Sequence, residues 1–334
     1  MCNYISNLPI LDKLDARIPS WADKQLISRN CPFCDSYNQP IVRRPDNLPI
    51  AFCCKCGTSY VSMAPTDKVL MEYYSAYWTT IRPQNLSHKT ADQMRIKLLY
   101  RVHEFWIDRL HVLIGLNGKI VVDVGCGLGN ALLICKKEGA RVIGVDLNKE
   151  ACAFVRNQLK LDAREGALED IALEDNSVDI VLMRDFLEHP LNPSAVFKKG
   201  IAILKPGGLM LIHTPNGSCI DFKDSSNLER IVFRVDLEHM QYLSAKTLMY
   251  LANKNHLIIE HLETFGFPSL QGIDKLPEQR MFTSAYKFKD LIKNCPGMLH
   301  VINLILKMKQ IQTTKNYRSG NYNLLAILRK EGVS

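Results

Sequence analysis

No apolar run in these 334 residues approaches the ~20 needed to span a bilayer as a helix. A basic-then-apolar leader is missing from the N-terminus, and no internal repeat or low-complexity tract is present. These absences argue against a helical membrane protein, a solenoid and a disordered scaffold, and a cytoplasmic globular protein is the expectation. In a reducing compartment, 11 cysteines read as thiols and metal ligands more naturally than as disulfides. The length suits one large domain plus a small one. The net charge of +8 is uneven, since Gln271 to Ser334 holds eleven Lys and Arg against four Asp and Glu. That basic segment points to an anionic partner (a nucleotide-linked substrate, nucleic acid or an acidic membrane surface) or to a solvated helix face.

Cysteine is where the pattern begins. Cys31-Pro-Phe-Cys34 is followed, after an 18-residue spacer, by Cys53-Cys-Lys-Cys56-Gly57. Two C-x-x-C knuckles at this separation predict a tetrahedral structural zinc site with Cys31, Cys34, Cys53 and Cys56 as ligands. A unit of this size has little apolar core of its own, so the metal would supply its folding energy. Cys54 is a spare inside the second knuckle.

Val121-Val-Asp123-Val-Gly125-Cys126-Gly127-Leu-Gly129-Asn130 carries the chemistry. An apolar run ends in an acid and breaks into three alternating glycines. A second apolar run, Arg141 to Val145, ends at Asp146. Strand, glycine turn, helix, strand and acidic strand end describe the first half of a doubly wound nucleoside-binding sheet. A dinucleotide site would read G-x-G-x-x-G over a pyrophosphate. The G-x-G-x-G reading and the carboxylate of Asp123 suit instead a cofactor that is a cation with an amino group.

Around this stretch the periodicity predicts a helix over Asp92 to Leu113 and strands at 119–124, 141–145, 162–165, 178–183 and 208–213. Helices are expected at 129–138, 149–159, 193–203 and 244–254, with a turn at Pro206-Gly207-Gly208. A strand from His256 to Glu263, a loop-like 268–277, helical pattern over 283–310 and a last strand from Tyr322 to Leu328 complete the chain. Such alternation means a parallel sheet with helices on both faces. The domains are expected as an arm (1–29), a zinc ribbon (30–62), a helical linker or lid (63–118) and a main domain (119–334).

From Cys31 to Lys330 the chain resembles zinc-ribbon class I methyltransferases found among sugar and surface-polysaccharide biosynthetic enzymes. The resemblance is carried by the two knuckles, Met63-Ala-Pro-Thr-Asp67, Asp179 to Pro193 with its Glu188-His189 exit, Lys205-Pro-Gly-Gly208, Thr214-Pro-Asn216 and Glu238-His239-Met-Gln-Tyr-Leu-Ser244. It implies a seven-stranded, Rossmann-like α/β sheet whose last strand is antiparallel, with an insertion at about 268–318. It also implies S-adenosylmethionine as cofactor. Gly125, Cys126, Gly127 and Gly129 would bring the backbone to the methionine part and Asp123 would support the loop or the amino group; Asp146 would hold the ribose hydroxyls, Leu147, Ala167 and Leu168 would meet the adenine, and Arg184 and Asp185 would line the mouth. His189, His239 and His213 are the candidate bases. Asp185, Glu188 and His189 further match a magnesium-binding cluster of ubiquinone-biosynthesis O-methyltransferases. The implied acceptor is a small anionic molecule such as a nucleotide sugar, methylated at oxygen or carbon; the alternative is RNA. Leu299 to Met308 is either a peripheral membrane contact or buried in the core or a dimer seam, and the enzyme is a monomer or homodimer.

Overall fold

The computed structural model describes Trp21 and residues 25–44, 46, 48–78, 105–219, 238–265 and 323–332. The expected insertion at 268–318, the Leu299 to Met308 segment and most of the basic tail lie outside these residues, as do most of the N-terminal arm and the first half of the Asp92 to Leu113 helix.

Apolar strands that alternate with amphipathic helices bury both faces of one sheet. Its strands are β6 (Ile120–Val124), β7 (Arg141–Asp146), β8 (Asp162–Glu165), β9 (Val178–Arg184), β10 (Leu204–Pro215), β12 (Leu257–Phe265) and β13 (Asn323–Lys330). Their spatial order is β12-β13-β10-β9-β6-β7-β8, which puts β6 and β9 side by side at the centre. Pairing is parallel from β10 through β9, β6 and β7 to β8, whereas β13 runs antiparallel to both β10 and β12. The period of two sorts β6 cleanly: Val122 and Val124 join one buried cluster and Val121 the other. The second cluster takes Trp106 and Leu110 of α2 (Phe105–Leu113), Leu132 and Cys135 of α3 (Asn130–Lys137) and Cys152 of α4 (Lys149–Phe154). A π-helical turn over Val155–Leu159 continues α4, so the single helix expected at 149–159 changes winding midway.

The helices start where side chains satisfy their first amides. Asn148 caps α4, Asn192 caps α5 (Pro193–Ile203), and Ser244 with Thr247 forms a capping box on α6 (Ala245–Lys254). One local expectation differs. The Pro206-Gly207-Gly208 turn lies inside β10, which already pairs with β9 at Leu204 and resumes after a register shift at Leu209. The positive φ of Gly207 (79°) absorbs this irregularity without ending the strand.

Ahead of the sheet, β2 (Pro40–Arg43), β3 (Pro49–Phe52) and β4 (Ser59–Val61) form an antiparallel meander. Its fourth strand comes from far along the chain: β11 (Gln241–Tyr242) pairs with β4 through Gln241↔Tyr60 and Tyr242↔Ser59. In addition, β1 (Leu26–Ser28) pairs with β5 (Met63–Pro65), just before α1 (Asp67–Ser75). The cysteine unit therefore has an apolar core after all, shared with its neighbour. Cys31, Phe33, Ala51, Cys53, Cys56 and Tyr60 lie in the same buried cluster as Val122, Val181, Met210 and Leu248. Polar ties reinforce the join. Ser194 donates to the Pro32 carbonyl (2.6 Å), Lys254 to Phe33 (3.0 Å), Lys246 to Cys54 (2.6 Å) and Ser244 to Gly57 (2.8 Å).

Candidate cofactor and acceptor site

The glycine turn lies at the carboxyl end of β6, where Gly125, Gly127 and Gly129 all have positive φ (71°, 49° and 80°). Their missing side chains are filled space. A Cβ on Gly125 would come within 2.5 Å of the Phe186 ring, and one on Gly127 within 3.0 Å of Trp78. On Gly129 it would meet Val155 at 2.9 Å. The loop thus needs glycine for conformation and for room alike. Asp146, at the end of β7, accepts from the Gly127 amide (2.8 Å) and the Asn148 amide (2.8 Å). Cys126 turns its thiol toward Gly144, so this residue presents backbone to the loop. Beyond β8, half-buried Ala167 and buried Leu168 follow Gly166, whose amide bonds the Asp146 carbonyl (2.9 Å). Leu147 is half-buried beside Asp146. A cradle of this kind, with a carboxylate at each of two adjacent strand ends, fits a nucleoside joined to a cationic amino-acid tail.

Asp123 is buried under the loop. Burial is the main cause that lifts its carboxyl to about 7, opposed by the Arg184 guanidinium and aided by the Asp146 charge. Arg184 itself stacks on Trp106, 4.6 Å from the ring centroid. A carboxyl raised in the folded state binds its proton more tightly there than in the unfolded chain. Its contribution to stability is therefore complete below about pH 4 and is lost as the pH climbs through 7. The rise from 3.8 to about 7 corresponds to on the order of 4 kcal/mol. The unfolding free energy of the ligand-free protein, from denaturant titrations, should fall between pH 4 and 8 by that much more than that of Asp123→Asn; parallel curves would show that Asp123 is not the titrating group.

Above β9 the chain turns through Asp185, whose φ of 49° is unusual for a side-chain-bearing residue. Its amide donates to the His213 carbonyl (2.8 Å) and its carboxylate lies 3.1 Å from His213 Nδ1. Partial burial would raise the Asp185 carboxyl, but the His213 hydrogen bond and charge, with Arg184, hold it below its ordinary value. Of the three candidate histidines, His213 is consequently partnered with Asp185. The other two lie together, with ring centroids 4.9 Å apart.

That meeting is built by backbone zipping that local sequence patterns do not reveal. The Met240 amide donates to the Glu188 carbonyl (2.8 Å), and Gln241 reaches the Leu187 and Pro190 carbonyls (2.6 and 2.8 Å). Arg29 donates to the Gln241 side chain (3.0 Å). Buried Arg44, paired with Asp46 at 2.7 Å, donates to the His239 carbonyl (2.5 Å) and the Tyr242 hydroxyl (3.1 Å). Tyr74 of α1 places its hydroxyl 2.8 Å from His189 Nδ1, while Tyr73 and Tyr77 donate to Glu238 (2.8 and 3.3 Å). The N-terminal unit thereby sets one wall of the site.

In that unit the four cysteines converge. Cys31 Sγ lies 3.3 Å from Cys56 Sγ, and Cys34 Sγ lies 3.3 Å from Cys53 Sγ. All four sulfurs fall within 4.8 Å of one another, and none is in a disulfide. Tetrahedral bonds of ~2.3 Å separate sulfurs by about 3.8 Å, so the donor set and spacing fit zinc. The Cys31 thiol, with Thr58, pulls Cys56 below the usual thiol range.

Residues 98–262 match the family model described as a methyltransferase domain. The ubiquinone biosynthesis O-methyltransferase of Vibrio parahaemolyticus serotype O3:K6 is 31% identical over 153 residues, which span 43% of this chain and 65% of that enzyme. A probable protein arginine N-methyltransferase 6.1 from Oryza sativa subsp. japonica is 26% identical over 285 residues, or 76% of this chain and 68% of its own. Among solved structures, a SAM dependent methyltransferase from Archaeoglobus fulgidus overlaps 71% of this chain and 99% of its own at 21% identity, with a TM-score of 0.46. The chain carries a class I S-adenosylmethionine-dependent methyltransferase domain.

Proposed function

We propose that this chain methylates a small-molecule acceptor, most simply at a hydroxyl, with a nucleotide-linked sugar as the acceptor class. The carrying observation is the His189–His239 pair, 4.9 Å between rings, beyond the strand end that follows the glycine loop's neighbour β9. S-adenosylmethionine supplies an electrophilic methyl group on a sulfonium that loses its charge on transfer. Asp123 and the glycine backbone would hold the methionine tail, and Asp146 the ribose hydroxyls. Leu147, Ala167 and Leu168 would pack against the adenine, and Arg184 and Asp185 would border the mouth. Cys126 would contribute backbone alone.

The protein's task is then to bring the acceptor oxygen in line, keep water out and deal with its proton. Phe186 and Trp78, which cover Gly125 and Gly127, would exclude water. The imidazole pair activates the hydroxyl, and the Tyr74 hydroxyl fixes the ring of His189. His213, engaged with Asp185, orients the mouth. A zinc ion on Cys31, Cys34, Cys53 and Cys56 belongs to the same reading as the support for the acceptor wall.

Labelled methyl transfer to a panel of nucleotide sugars and RNA tests this. Label is expected on a small molecule, and His189→Ala and His239→Ala should each slow turnover by about 100-fold or more. Salt-sensitive label on bulk RNA, or undiminished turnover in both variants, would contradict the assignment.

A further inference from the structure

We infer that Glu188, His189 and His239 form a binding site for a divalent transition-metal ion. This inference rests on the methyl-transfer reading only for the use to which the ion is put. One ligand atom from each of the three residues lies within 4.8 Å of the others. Ligand atoms bound at ~2.0–2.2 Å on one side of an ion stand about 3–3.6 Å apart, so side-chain adjustments of about an ångström close the site. The three arrive from two segments that the Met240 amide to Glu188 carbonyl bond (2.8 Å) and the Gln241 side chain clamp together. Glu188 and His239 are buried and His189 half-buried, which leaves one side of the cluster open.

The set differs from the trio that the sequence resemblance brings forward. Asp185 is turned to His213 at 3.1 Å and does not join the cluster, and His239 takes its place. That exchange changes the ion. A carboxylate-rich trio suits magnesium, whereas two imidazoles and one carboxylate with open positions suit manganese, iron, cobalt or zinc. The Tyr74 hydroxyl at 2.8 Å from His189 Nδ1 supplies the outer hydrogen bond that fixes the tautomer of a ligating imidazole. Both histidines then act on the acceptor through the ion. A hydroxyl bound there has a lowered pKa and loses its proton to solvent before methyl transfer.

Manganese is the probe, because thiolate-rich centres select softer ions and leave it to the imidazole–carboxylate site. Free Mn²⁺ is followed by its paramagnetic resonance during titration of the full chain loaded with a single equivalent of zinc, which the four thiolates retain. The wild type is expected to remove one equivalent of the signal. Glu188→Gln and His239→Ala should each weaken binding by about tenfold or more, and Asp185→Asn should leave it within about twofold. A melting temperature that rises with Mn²⁺ in the wild type but not in His239→Ala is the parallel readout. No loss of free signal, or wild-type affinity in Glu188→Gln, overturns the site. Binding of S-adenosylhomocysteine measured on the same samples separates the two ideas: retained cofactor binding with no manganese uptake refutes the ion alone.

Discussion

Stripping the zinc we propose for the Cys31–Cys34–Cys53–Cys56 centre is expected to unfold far more than the ribbon. An isolated ribbon would lose only its own fold, since structural zinc supplies ~10–16 kcal/mol of apparent binding energy in peptides of that size. Here Phe33, Ala51 and Tyr60 are packed in one cluster with Val122, Val181 and Met210 of the central strands. Whole-domain stability is ordinarily only ~5–15 kcal/mol, so loss of the ion exceeds what the shared core can carry. A strong chelator should release one zinc per chain and remove the near-ultraviolet signal of the buried Trp106 along with that of Tyr60. Cys53→Ser should do the same without chelator. The damage should reach the acceptor wall first, because β4 holds β11 and Arg44 holds the His239 carbonyl at 2.5 Å. A purified chain that contains no zinc and melts at an unchanged temperature with chelator would refute the centre.

The second large effect is expected from Asp146→Ala, which should weaken S-adenosylhomocysteine binding by about 100-fold or more. A carboxylate that accepts from two ribose hydroxyls forms two charge-assisted bonds, each ~1.5–3 kcal/mol. The same oxygens hold the Gly127 and Asn148 amides at 2.8 Å, so the loop loses an anchor as well. Burial already raises the Asp146 carboxyl, against the pull of those two amides, so removing its charge should cost the fold little. Unchanged far-ultraviolet dichroism with lost binding is the expected combination. Wild-type affinity in Asp146→Ala would mean that the nucleoside lies elsewhere.

Local chemistry made much of this readable. Glycines at alternate positions after an apolar run have few other uses, and acids at the ends of β6 and β7 keep their meaning wherever the rest of the chain goes. The four cysteines declare themselves by spacing. What stayed hidden depends on contacts across long separations. Nothing around Gln241 and Tyr242 reads as a strand, because that two-residue segment is one only through Tyr60 and Ser59, some 180 residues earlier. Arg44 and Asp46 look like surface charges in a loop until the Tyr242 hydroxyl and the His239 carbonyl arrive. The resemblance to ubiquinone-biosynthesis O-methyltransferases made Asp185 a companion of Glu188 and His189, yet the left-handed turn at Asp185 sends its carboxylate to His213 instead. A histidine 50 residues downstream completes the cluster.

Calorimetry with S-adenosylhomocysteine decides whether the glycine loop and Asp146 bind the methyl donor. One molecule bound per chain, with a raised melting temperature and with both effects lost in Asp146→Ala, is the expected result. No heat and no thermal shift in the zinc-loaded wild type would contradict it.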